Sequence, residues 1–131
     1  MIQTLSRYQD RLYATIHSRQ EIEIEEFEIF GQSAVAGRTS EVFIRLRFWD
    51  DSLLQIEEAL VAEAFAIVKV RYIYHYQQAD GTLIFRYDNA PHYPDLPGFP
   101  EHKHEGSHVL SASAPDLSQV LKEVDGYLYS G

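Results

Sequence analysis

Hydrophobic positions along the chain change period several times, and each change marks an element. Near the N-terminus Leu5, Tyr8, Leu12 and Ile16 fall at spacings of three, four and four, one stripe of an amphipathic helix. In "EIEIEEFEIF", residues 21–30, the period drops to two. Ile22 and Ile24 alternate with glutamates, then Phe27 and Ile29 continue on the opposite parity, which predicts a strand bulged near Glu25–Glu26. The five glutamates of this stretch could hold a cation or a basic partner, but a solvated strand face is the simpler reading.

"EVFIRLRFW" is a strand with Val42, Ile44, Leu46 and Phe48 on one face and Arg45 and Arg47 on the other. After the turn signal "DDS", "LLQIEEALVA" reads as the return strand, with a short helix as the alternative at its two glutamates. "AIVKVRYIYHYQQ" is the longest strand, rich in β-branched and aromatic residues. The Asp-Gly of "ADGT" predicts a hairpin turn into "LIFRYD". Beyond Asp88 the alternation stops, and four prolines from Pro91 to Pro100 predict a restrained loop. The stretch from His102 to Ser113 reads as one further short strand. "SAPDLSQVLKEVDG" then predicts a helix with Ser113 as N-cap, Pro115 in its first turn, and Gly126 as its stop. Leu117, Val120, Leu121 and Val124 form its buried stripe. The expected fold is α+β: an antiparallel meander with a helix at each end of the chain, in one domain over residues 1–131.

Composition narrows the function. Hydrophobic residues make up 45% of the chain, which fits a globular protein. No apolar run approaches the roughly eighteen residues a membrane helix needs, and the N-terminus lacks a basic region followed by an apolar block. A cytoplasmic protein without membrane association is the expectation. The absence of cysteine excludes disulfides, a thiol nucleophile and Cys-ligated metals. A net charge of −9 opposes non-specific binding to phosphate backbones, but the charge is uneven. Residues 1–68 carry 12 acidic and 6 basic side chains, whereas residues 69–108 carry 5 and 4. A neutral or basic patch can therefore form in the second region.

The hairpin locates that patch. With Asp80 and Gly81 as a two-residue loop, Ala79 pairs with Thr82, His75 comes opposite Arg86, and Ile73 opposite Asp88. Lys69, Arg71, His75, Arg86 and Asp88 then share one face, and Tyr72, Tyr74, Tyr76, Leu83, Phe85 and Tyr87 the core face. The polar face leads directly into "RYDNAPHYPDLPGFPEHKHEGSH", residues 86–108, which holds four of the six histidines.

Three chemistries suit this segment. Phosphodiester cleavage without metal needs a base for a ribose 2′-hydroxyl, an acid for the leaving oxygen, and cations for the non-bridging oxygens. His104 or His102 would serve as one proton carrier and His92 or His75 as the other, with Lys103 and Arg86 on phosphate and Asp88 orienting an imidazole. That reaction requires no cofactor. A zinc site is the alternative: His102 and His104 at i and i+2 on a strand point the same way, and His92 or Asp88 could complete the set. The third reading is structural, a loop packed over the sheet by Tyr93, Leu96 and Phe99, with Asp88 and Asn89 bonding its backbone. His17 and His108 are read as structural or exposed.

The run "YHYQQADGTLIFRYDNAPHYPDLPGFPEHKHEG" resembles the TumE-like family of small bacterial and archaeal proteins, toxin components of toxin–antitoxin pairs. The resemblance rests on His75 with its flanking tyrosines, Arg86-Tyr87-Asp88-Asn89, Pro91-His92, Phe99-Pro100 and His102-Lys103-His104, within residues 72–106. It implies a growth-inhibiting protein with a cognate antitoxin as partner, and analogy among toxins suggests an endoribonuclease acting on RNA. The implied site is His75, Arg86, Asp88, Asn89, His92, His102, Lys103 and His104. Where the family pattern often carries a further histidine just before H-K-H, this chain has Glu101. A non-catalytic metal- or nucleic-acid-binding module, or an inactive relative, is the alternative function, and the tyrosine-rich sheet could also serve a homo-oligomer.

Overall fold

The computed structural model describes residues 2–19, 21–31, 39–63 and 66–130. Helix α1 (Ile2–His17) is followed by strands β1 (Glu23–Gly31), β2 (Thr39–Arg47), β3 (Leu53–Glu63), β4 (Ala66–Gln77) and β5 (Leu83–Asp88). Strands β6 (His102–Glu105) and β7 (His108–Ser111) come next, and helix α2 (Leu117–Leu128) is the last described element. The strands form one antiparallel sheet in chain order, β1 to β7. The α+β meander with a helix at each end is therefore present. "LLQIEEALVA" is strand throughout, since burial alternates along it.

One face of the sheet carries the core. Leu5, Leu12 and Ile16 of α1 pack with Val42, Ile44, Leu46, Leu54, Ile56, Tyr74, Tyr76 and Phe85, and Leu117, Val120, Leu121, Val124 and Leu128 of α2 complete the cluster. Burying a side chain of this size contributes about 1.5–3 kcal/mol each before conformational entropy is counted. Under α1 lies a polar group within this core. Glu58, 2% exposed, accepts from Tyr8 Oη at 2.7 Å and from Tyr74 Oη, with Lys69 Nζ 3.5 Å away. Helix α2 starts at a capping box formed by Asp116 and Gln119, so Asp116, not Ser113, is the N-cap. The helix also runs through Gly126 instead of stopping there.

The predicted β1 bulge is present: Ile24 pairs with Leu46 and Glu26 with Arg45, leaving Glu25 between. Arg45 pairs with Glu26 and Arg47 with Glu25, so these glutamates meet arginines on an exposed face. A second bulge corrects the expected faces of β4. Ala59 pairs with Arg71 but Leu60 with Lys69, so Val70 has no partner and the alternation reverses there. Val68 and Val70 are 39% and 57% exposed, and Lys69 turns to the helix side, donating to Tyr74 Oη (2.6 Å) and the Pro115 carbonyl (2.8 Å).

The β4–β5 loop has three residues, not two. Gln78 N donates to Thr82 O at 2.8 Å and Gly81 N to Gln78 O at 2.9 Å. Gly81, at φ 91°, takes the left-handed position that disfavours a side chain. Gln77 then pairs with Leu83, Ile84 is left over, and the offset cancels. Tyr76–Phe85, His75–Arg86 and Ile73–Asp88 are consequently paired as the hairpin predicted. The stretch after His102 is two strands, not one, because Gly106 (φ 59°) turns the chain between them.

Candidate functional site

Strand register builds the site. Arg86 and Asp88 sit two apart on β5, so both project from the face opposite Phe85 and the helices. Across the ladder on one side, Arg86 pairs with His75 of β4. On the other side Arg86 pairs with His104 and Asp88 with His102, both of β6. Five polar side chains thus meet on three neighbouring strands. After Asp88 the proline-rich segment leaves the sheet and returns at His102. It brings the edge of the Tyr93 ring over the two histidines, with ring centres 5.0 Å from His102 and 5.8 Å from His104.

The inner half of this group is dry and tightly held. Asp88 is 4% exposed and His102 1%. The Asp88 carboxylate accepts from Arg86 Nε at 2.9 Å and from the Ala90 amide at 3.0 Å. His102 Nδ1 lies 2.9 Å from the Pro100 carbonyl oxygen, which can only accept, so Nδ1 carries a proton. His102 Nε2 lies 2.9 Å from Asp88 Oδ1, yet the oxygen is off the direction of a proton on that nitrogen, and Nε2 makes no hydrogen bond. His104 Nε2 is 3.9 Å from Asp88 Oδ2.

The outer half is open to solvent. His75 Nε2 lies 3.0 Å from Gln77 Oε1, an acceptor, and its Nδ1 lies 3.5 Å from Arg86 Nη1, a donor. The ring is therefore neutral with its lone pair turned towards the guanidinium. Burial pushes the His75 pKa below the ordinary histidine value, and the Arg86 charge adds to that, against the Gln77 bond. Burial likewise lowers His104, helped by His102, Arg86 and His92 and opposed by Asp88. His92 is exposed at the rim beside Tyr93, ring centres 6.4 Å apart.

Two residues expected at the site lie elsewhere. Lys103 falls between His102 and His104 and so faces α2, where Nζ donates to Glu123 (2.6 Å) and meets Glu105 (2.7 Å) and the Tyr87 ring (4.9 Å). Burial alone would lower its pKa, but those two carboxylates raise it above the ordinary value. Asn89 serves the backbone of β4: its Oδ1 accepts from Tyr72 N (3.1 Å) and its Nδ2 donates to Val70 O (3.0 Å), standing in for a strand partner at the bulge. Glu101, the departure from the family pattern, also points away from the histidines, accepting from Tyr72 Oη (3.0 Å) and the Ala114 amide (2.6 Å).

Sequence reading missed the Pro100 carbonyl and Gln77 as partners of the histidines. Gln77 was detectable, being two residues from His75 on one strand; a carbonyl leaves no trace in residue type. Among the described residues, Asp88, His102 and His104 form a group whose ligand atoms all lie within 4.8 Å of one another. Of the two residues the sequence offers beside His102 and His104, Asp88 lies in this group and His92 does not.

No helix among the described residues is long and apolar enough to cross a membrane. No curated protein and no solved structure matches the chain. The family described as toxin TumE matches residues 11–128, a span that includes every strand and the whole of α2. The chain therefore belongs to the TumE family, as the toxin component of a toxin–antitoxin pair with an antitoxin as its implied partner.

Proposed function

We propose that this toxin cleaves RNA without a metal, over the row His75–Arg86–His104. One observation supports the reading: a guanidinium flanked on both sides, in register, by partly exposed imidazoles. The two histidine backbones stand about 10 Å apart, two strand spacings, with Arg86 midway. A phosphate resting on the free edge of Arg86 would lie within reach of both rings. Arg86 is held for this by Asp88, which takes its Nε and leaves the outer nitrogens directed away from the carboxylate.

In the proposed reaction His75 Nδ1 exchanges its long 3.5 Å contact with Arg86 Nη1 for the ribose 2′-hydroxyl and accepts its proton. The freed oxygen attacks phosphorus, the bond to the 5′-oxygen breaks, and His104 in its protonated form gives that oxygen a proton. The products are a 2′,3′-cyclic phosphate and a 5′-hydroxyl. Arg86 stabilises the charge that gathers on the non-bridging oxygens. His75 suits the base because burial and the neighbouring Arg86 charge favour its neutral form. His104 takes the acid role as the imidazole across Arg86, where Asp88 opposes in part the burial that lowers its pKa.

Induced expression in bacteria tests this. The wild-type chain should arrest growth and fragment total RNA, and a folded variant with His75 and His104 both changed to alanine should do neither. Equal RNA loss from that variant would sink the assignment.

A further inference from the structure

We infer that Asp88, His102 and His104 form a binding site for one divalent ion of the zinc class. His102 is the key residue. Its Nδ1–H is committed to the Pro100 carbonyl, so Nε2 presents a lone pair into a space from which water is excluded. That nitrogen has no hydrogen-bond partner, and a carboxylate oxygen lies only 2.9 Å away. Two electron-rich atoms facing each other in a dry place repel unless something positive sits between them. A proton on Nε2 fits poorly, because it would point along the ring axis and miss Asp88. An ion fits well. It would lie on that axis about 2.0–2.1 Å from Nε2 and take its other ligands to the side.

The separations agree. Four ligands arranged tetrahedrally around zinc stand about 3.3 Å from each other. Here Asp88 Oδ1 is 2.9 Å from His102 Nε2 and the other carboxylate oxygen, Oδ2, is 3.9 Å from His104 Nε2, values on either side of that spacing. A bound histidine characteristically gives its other ring N–H to a carbonyl or carboxylate, as His102 does to Pro100, and a bound carboxylate is itself hydrogen-bonded, as Asp88 is by Arg86 and Ala90. Two imidazoles and one carboxylate select a transition ion over magnesium or calcium, which take oxygen ligands. Of the three residues, His104 is the one nearest solvent, its side chain 25% exposed.

This site shares His104 with the proposed ribonuclease row, and its consequence for cleavage rests on that reading. An imidazole whose Nε2 holds an ion has no proton there to give, so the loaded protein is the silent form and the metal-free protein the cleaving one.

The test uses the full chain, stripped with a chelator and titrated calorimetrically with Zn²⁺. One ion per chain should bind, and His102→Gln, Asp88→Asn and His104→Gln should each weaken binding by more than about 10-fold, the loss typical of a mere outer-shell partner. His108→Gln, which removes an exposed histidine elsewhere, should bind as wild type. His104→Gln guards against misfolding, since its side chain is partly exposed; circular dichroism checks all variants. Absence of one-to-one binding, or wild-type affinity in a folded His104→Gln, overturns the site. Cleavage by the same samples separates the two readings. Zinc binding without cleavage in either form removes the ribonuclease and leaves the site. Cleavage without zinc binding does the reverse.

Discussion

Asp88 and His102 face each other across β5 and β6, both buried, with 2.9 Å between Asp88 Oδ1 and His102 Nε2. Neither residue has an apolar reason to be inside. The carboxylate is what orders its surroundings, because it holds Arg86, the Ala90 amide and the entry of the proline-rich loop together.

Replacing Asp88 with alanine should therefore cost stability as well as function. The Arg86 guanidinium and the Ala90 amide lose their acceptor, which costs about 1–3 kcal/mol. Urea unfolding of purified protein measures it. A midpoint equal to wild type would mean that water replaces the carboxylate without penalty.

Lys103 and Arg86 should behave oppositely despite both being cations of the same segment. Lys103→Met keeps the stem packed on Tyr87 and lies on the helix side, so toxicity should persist with a modestly lower melting temperature. Arg86→Lys keeps the charge but loses the planar edge between the histidines, and toxicity should fall at least about tenfold. Growth arrest titrated against inducer distinguishes them. Equal loss in both variants would place Lys103 in the working site.

Alkaline pH should unfold the protein through its buried tyrosines. Burial, then the charge of Glu58, raises the pKa values of Tyr8 and Tyr74, while burial and the Glu101 bond raise that of Tyr72. A raised folded pKa means stability is complete below the unfolded value of about 10 and is lost as pH climbs above it. Tyrosinate absorbance and far-ultraviolet circular dichroism, followed together, should show several of the nine tyrosines ionising only as the sheet melts. Full ionisation of a still-folded protein would contradict it.

Much of this was legible in residues alone, for identifiable reasons. Alternation with β-branched residues marks β2 without ambiguity, and the Asp-Gly turn fixes His75 opposite Arg86. That register survives a wrong loop length because the bulge at Ile84 restores what the extra loop residue shifts. The single-residue bulge at Val70 was not legible, since "VKVRY" alternates on either phase, and it carried Lys69 to the other face. The direction of Lys103 is legible in the sequence: lying between two histidines on a strand, it must face away from them. Residue type alone does not reveal the role of Asn89 as a substitute strand partner, because that role depends on a bulge nineteen residues away.

Cleavage by this toxin rests on metal-free transfer of protons across the proposed row His75–Arg86–His104. The most direct measurement is end-group analysis of RNA treated with purified protein in excess chelator. Fragments with 2′,3′-cyclic phosphate and 5′-hydroxyl ends, absent with the His75→Ala and His104→Ala variants, are the predicted result. Intact RNA in chelator, or cleavage only with added metal to leave 5′-phosphate ends, would contradict it.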